Sequence, residues 1–267
     1  MGKRRIAEQT LVIGAGKGGV GKSTVAVNLA VALAQEGKEV GLLDADVYGP
    51  SIPAMTGLRR LPPRIEKDLS GQEKVLPFCK FGIKVISIGF FMEEARSVIW
   101  RGPMLHGALQ KMLFDVEWGE LDVLVVDLPP GTGDVLISLS QITPIDGAVL
   151  VTTPQEVVVL DVIKAVSAFD QLSIPLLGIV ENLAGFTPKG SSEVHYIFGK
   201  GRTQDLARRF EAPLLGSIGI DPGICLSGDE GVPAAFHASE SAVCDAFHAV
   251  ARNLIQQHHR KLSQQRV

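Results

Sequence analysis

The chain has 267 residues, of which 46% are hydrophobic and only 6% aromatic, and its formal net charge is -3. That length and apolar content suit one large α/β domain spanning residues 1–267, while the charge gives no electrostatic case for nucleic acid. No run approaches the roughly 20 apolar residues of a membrane span, and the basic start MGKRRIAEQT reaches apolar sequence too soon to hold a signal peptide, so a cytoplasmic protein is expected.

The first predicted element is a buried strand at Leu11-Val12-Ile13, a short run rich in β-branched residues. It breaks into the glycine-rich stretch Gly16–Ser23 (GKGGVGKS), which fits G-x-x-x-x-G-K-[ST], and Thr24–Ala34 then has the apolar spacing of a helix packed on a sheet. Backbone N–H groups can converge on a polyphosphate only where side chains leave them clear, and Gly16, Gly18, Gly19, Val20 and Gly21 supply such a cradle at a helix N-terminus. Lys22 is expected to reach the β- and γ-phosphates of a nucleotide. The Ser23 hydroxyl is expected to ligate Mg²⁺, with Thr24 as the alternative ligand.

Further along, Gly37 is a plausible helix end, and Glu39–Leu43 reads as a second buried strand ending in Asp44-Ala45-Asp46. Carboxylates at a strand's C-terminal end lie where open parallel sheets put ligands. The prolines and glycines of 47–57 predict an irregular segment, and 59–77 predicts a loop or small hairpin. Lys84–Gly89 reads as a third strand, and Pro103 suits the first turn of a helix through Leu113. Leu121–Leu128 is the fourth strand. Its Asp127 follows an apolar run in the manner of a Walker B carboxylate, which acts on the Mg²⁺ shell partly through water. Pro129–Asp134 (PPGTGD) is expected to be a second switch that answers a γ-phosphate through its backbone. Two more strands, Gly147–Thr152 and Leu176–Val180, flank a helix from about Val157 to Phe169. A helix near Arg202–Phe210 leads into a strand at Leu214–Ile218, and a last helix runs from about Ser239 to Gln257, with His258–Lys261 as a solvated tail. His195 stands in a polar loop without a metal partner at useful spacing. Strand–helix alternation of this kind requires a mostly parallel sheet.

Lys17, a second lysine inside the glycine loop, gives K-G-G-x-G-K-[ST] and so resembles the deviant Walker motif of the MinD, ParA and Mrp-type ATPases. The order GKGGVGKST, LLDADVYGPS, WRGPM, LVVDLPPGTGD, TTPQEVVVLDV, GIVEN and IFG is similar to Mrp/ApbC-type ATPases along nearly the whole chain. The resemblance implies an α/β P-loop NTPase sheet of about seven or eight strands with helices on both faces. It implies a homodimer in which Lys17 contacts phosphate across the subunit boundary, a water-orienting role for Asp46, which with Ser23 and Asp127 also belongs to the Mg²⁺ site partly through water, and an adenine-reading amide at Asn182. Asp44 would hold either Mg²⁺ waters or the loop itself. No N-K-x-D guanine motif is present, so ATP is favoured over GTP.

The resembling family carries iron–sulfur clusters, commonly with a paired-cysteine motif just after its E-N segment. Here that stretch reads Glu181-Asn182-Leu183-Ala184-Gly185-Phe186-Thr187-Pro188-Lys189-Gly190, without cysteine. Cys79, Cys225 and Cys244 lie far apart and read as reduced, mostly buried small hydrophobes, with Cys225 in a loop after Asp221-Pro222-Gly223. Hydroxyls and lysine do not replace thiolates on iron, so no [4Fe–4S] cluster of its own is expected. Three functions follow as expectations: a slow, Mg²⁺-dependent ATPase switch serving iron–sulfur or metal-centre assembly through an unidentified protein client; a MinD- or ParA-like organiser of a membrane or cargo; or a metabolic phosphotransferase.

Overall fold

The computed structural model describes residues 3–67, 71–92, 102–131, 133–236 and 242–264, with side chains to residue 257 in the last stretch. Its centre is an eight-stranded sheet in the order β10-β9-β8-β1-β7-β2-β6-β5. The strands are β1 (Gln9–Ala15), β2 (Val40–Asp44), β5 (Phe78–Lys80), β6 (Ile83–Ser87), β7 (Val123–Asp127), β8 (Gly147–Thr152), β9 (Leu176–Glu181) and β10 (Leu214–Ser217). All neighbours pair in parallel except β5, which runs antiparallel to β6 at one edge. A separate antiparallel hairpin joins β3 (Arg64–Lys67) to β4 (Glu73–Leu76), as expected for 59–77.

Successive residues of the central strands point to opposite faces, and each face is covered. Leu11, Ile13, Leu42, Val125 and Val149 pack with α1 (Lys22–Gln35) and α8 (Ala242–Gln264). Val12, Leu43, Val126 and Leu150 pack with α3 (Gly102–Phe114), α4 (Asp134–Ile142), α5 (Val159–Gln171) and α6 (Arg202–Arg209). This accounts for the continuous apolar strands: a parallel sheet covered on both sides has no solvent face for polar residues. Helix α1 packs on the sheet beside α8, which itself reaches β9 and β10, and every residue from Val25 to Leu33 is buried. The buried Asn28 in that run is satisfied, donating through Nδ2 to Thr24 O at 2.8 Å and accepting from Ala235 N at 2.7 Å.

Some expectations need correction. The 47–57 segment is not wholly irregular, because α2 (Ile52–Met55) forms one turn with Pro53 in its first positions. Neither β5 nor α4 is among the expected elements. Cys225 lies in α7 (Pro222–Glu230), not in a loop: Asp221 caps that helix by accepting from Gly223 N at 2.6 Å, and Pro222 starts it. Cys79 and Cys225 are exposed, and only Cys244 is buried. The last helix continues through His258–Lys261 to Gln264, where a tail was expected. Its expected start at Ser239, like Trp100, Arg101 and Thr132 of the quoted motifs, lies outside the described residues.

The parallel register aligns strand ends. Ile13, Asp127, Asp44 and Ser87 are paired across β1, β7, β2 and β6, so two carboxylates and a hydroxyl end side by side at the carboxyl edge of the sheet.

Candidate nucleotide site

Between the end of β1 and the start of α1 the chain turns through Gly16–Gly21 with two left-handed residues, Gly19 (φ 82°) and Gly21 (φ 81°). Such backbone favours glycine, because a Cβ would crowd the following carbonyl. Gly21 has a second reason to lack a side chain: a Cβ there would sit 2.2 Å from Asn182 Nδ2. Gly16 packs on the start of α5, where a Cβ would come within 2.4 Å of the Asp161 backbone.

Lys22 is the first residue of α1 and points back under the loop. It is 7% exposed. Its Nζ donates to Asp127 Oδ1 at 2.6 Å and to Ser23 Oγ at 3.2 Å, and it lies 3.5 Å from Asp46 Oδ2. The structure thus brings Ser23, Asp46 and Asp127 around the Lys22 ammonium, groups expected from three separate signals. Asp46 is further fixed through Oδ1, which accepts from Tyr48 N at 3.3 Å and Gly49 N at 3.2 Å. Lys17 stands at the same mouth, half-buried and without a side-chain partner among the described residues.

Behind these groups the electrostatics favour protons. Burial and the neighbouring Asp127 push the Asp44 carboxyl up to about 8, against the opposing pull of Ser87, the Asp46 amide and Lys22. Burial also holds Asp127 above the ordinary carboxylate range, even though Lys22 and Ser23 favour its charged form. The second oxygen of Asp127, Oδ2, is buried with no hydrogen-bond partner among the described residues. A hard cation that keeps most of its waters needs only one or two protein oxygens, so Ser23 Oγ and Asp127 Oδ2 fit Mg²⁺. Among the described residues no three His, Cys, Asp or Glu side chains cluster to hold a metal.

The loop opens on a cavity of about 220 Å³ lined by Lys17, Gly18, Lys22, Ser23, Asp46 and Pro130. A larger one of about 520 Å³ adjoins it, shares Gly19, Gly21 and Thr24, and is lined beyond them by Asn182, Leu183, Ile224 and Cys225. A polar mouth continuing into an apolar pocket has the shape of a phosphate chain followed by a base. Asn182 is buried and its Nδ2 donates to Val20 O at 2.8 Å, so this side chain holds the glycine loop from behind and has one N–H and its oxygen left for a ligand. Gly131 of the segment expected to be a second switch donates to Ala15 O at 3.2 Å, which ties that segment to the end of β1.

Past β9, Phe186 and His195 exchange backbone hydrogen bonds at 2.9 and 2.8 Å, so Thr187–Val194 forms the tip of a short excursion. The tip carries hydroxyls and Lys189 but no thiol, and its residues do not fit an iron–sulfur cluster. Cys225 Sγ faces Asp229 Oδ2 at 3.8 Å on α7. Ser87, buried beside Asp44 and donating to it, is a polar residue of the site that motif reading missed; its signal is a hydroxyl at the end of an apolar strand.

The family model for NUBPL iron-transfer P-loop NTPases, within ParA, matches residues 6–255. The chain is 50% identical over 247 residues to an iron-sulfur cluster carrier protein of Aquifex aeolicus, covering 92% of this chain and 67% of that one. It is 43% identical over 250 residues to the iron-sulfur cluster transfer protein NUBPL of Mus musculus, covering 92% and 76%. Among solved structures it resembles a nucleotide-binding protein from Archaeoglobus fulgidus in complex with ADP, with a TM-score of 0.73, 38% identity and coverage of 85% and 87%. It shares its fold with the cell division ATPase MinD of Pyrococcus furiosus, with a TM-score of 0.66, 22% identity and coverage of 93% and 99%.

Proposed function

The chain belongs to the NUBPL iron-transfer P-loop NTPase family, and from that premise we propose that it is a slow, Mg²⁺-dependent ATPase whose nucleotide state switches a homodimer in cytoplasmic iron–sulfur or metal-centre assembly. The observation that carries this reading is Lys22 held between Asp127 and Asp46 beneath a glycine loop. In the proposed cycle the loop amides and Lys22 take the β- and γ-phosphates, and Lys22 loosens from Asp127 as it does so. Asp127 Oδ2 and Ser23 Oγ would hold the cation, with Thr24 in reserve. A bound Mg²⁺ supplies charge neutralisation at the phosphate oxygens.

Asp46 is suited to orient the attacking water, since its Oδ1 is fixed by two amides while Oδ2 faces the mouth. Asn182 offers its remaining polar atoms to the adenine edge, and Lys17 reaches the phosphates of a second subunit. The client is a protein that recognises one nucleotide state, and the cluster it receives or gives is cargo for that exchange. No cluster is held on the Thr187–Gly190 segment. The test is an affinity capture performed separately with ADP and with a non-hydrolysable ATP analogue, alongside an ATPase assay. Iron–sulfur assembly proteins held in one state only are expected, and identical capture in both states would remove the switch.

A further inference from the structure

We propose that Ser87 is a positioning residue for Asp46, acting through Asp44. The proposal rests on the reading of Asp46 as the carboxylate that orients water, and it concerns what holds that carboxylate still. Ser87 ends β6, Asp44 ends β2, and the two are register partners, both fully buried. Asp44 Oδ1 accepts from Asp46 N at 3.1 Å and Oδ2 from Ile52 N at 3.3 Å, so one carboxyl ties both ends of the loop that carries Asp46. Ser87 Oγ donates to the same Oδ2 at 2.8 Å, the shortest of the three bonds.

The serine is itself oriented. Its Oγ accepts from Gly89 N at 2.9 Å, which leaves its single proton for Asp44. The one-turn helix that follows, Ile88–Phe91, braces the loop from outside: Gly89 lies so close to Pro50 that a Cβ there would come within 3.1 Å of the proline ring. Asp44 is therefore gripped by Ser87 on one side and grips the Asp46 loop on the other. No hydrogen bond joins Ser87 to the glycine loop, Lys22 or Asn182 among the described residues, so its influence on nucleotide chemistry passes through the Asp46 loop, by way of Asp44 and of the Gly89–Pro50 brace.

Ser87→Ala separates this role from that of an ordinary buried hydroxyl. Expected are an ATP affinity within about twofold of wild type and a kcat lower by about tenfold, because only the alignment of Asp46 is lost. Hydrogen exchange should quicken at the amides of residues 46–52 while the 16–24 segment keeps its protection. A kcat equal to wild type, or affinity and turnover falling together, would overturn the proposal. If Ser87→Ala melts below the assay temperature, Ser87→Cys fills the space with a weak donor and is judged on the same split. If the wild-type protein does not turn over ATP, the hydrolysis reading itself fails. Exchange at 46–52 then decides the positioning role alone: unchanged protection in the variant sinks it.

Discussion

Lys22 faces two demands that compete, since the ammonium that must meet phosphate is bonded to Asp127 within the protein. Lys22→Ala should cost about 2–5 kcal/mol of ATP affinity, the range for truncating one partner of a buried charged contact, and calorimetry reads the loss directly. Tight binding by this variant would refute the assignment of the loop. Asp46→Asn fills the same space but cannot polarise water, so binding should persist while turnover falls by about a hundredfold. Asp44 offers a pH test. Its carboxyl is pushed up to about 8 in the folded protein, whereas an unfolded chain releases that proton near 3.9. Between about 4 and about 8 the folded state holds a proton that the unfolded state has lost, so this contribution to stability is complete at the acid end and drains away as pH rises. Melting temperatures of the nucleotide-free protein should fall from about pH 5 to about pH 8, and Asp44→Asn should flatten that slope. Equal slopes in the two proteins would mean that Asp44 is not the group responsible.

At the level of elements, the glycines of the loop divide by what each one touches. A Cβ at Gly16 would come within 2.4 Å of the α5 backbone, which cannot yield as a flexible side chain would, so Gly16→Ala should cost about 1–3 kcal/mol of stability. A Cβ at Gly19 would meet nothing within 4 Å, so a side chain there is opposed only by the left-handed φ. Gly19→Ala should therefore cost about 1–2 kcal/mol at most, yet weaken nucleotide binding because its methyl enters the mouth. Thermal melts and ATP titrations of the two variants should rank them in opposite orders. The same local logic explains what could be read from the sequence. The buried parallel strands and the glycine loop were legible because apolar runs ending in Gly or Asp have few other uses, and the hairpin in 59–77 was legible from its breakers. Helix α4 was not, because it begins at Asp134, the last residue of PPGTGD, and the turn signal masks the periodic one. Strand β5 has three residues, too few for a period, and α7 was hidden by the proline and glycine that in fact start it. Which strand ends lie side by side, and hence the partnership of Ser87 with Asp44, depends on register between segments 43 residues apart. No local pattern encodes that pairing.

For the whole molecule, the proposed dimer follows from a lysine without employment inside one subunit. Lys17 has no side-chain partner among the described residues and stands at the phosphate mouth. Light scattering should show a homodimer favoured by ATP over ADP, and Lys17→Ala should weaken both dimerisation and hydrolysis. Normal behaviour of that variant would end the cross-subunit assignment. Anaerobic reconstitution with iron and sulfide should leave no stoichiometric shared cluster; four irons per dimer that vanish in Cys225→Ser would reverse the conclusion. The Lys22–Asp127 pair also makes loading of the site a joint event. In the proposed cycle phosphate would draw the ammonium away, and the carboxylate it leaves would attract a divalent ion, so that each ligand would tighten the other by the same factor. Neither alone gains full affinity. In a compartment where the ion is always plentiful, such reciprocity would give the protein a tighter hold on nucleotide than the phosphate contacts would provide by themselves.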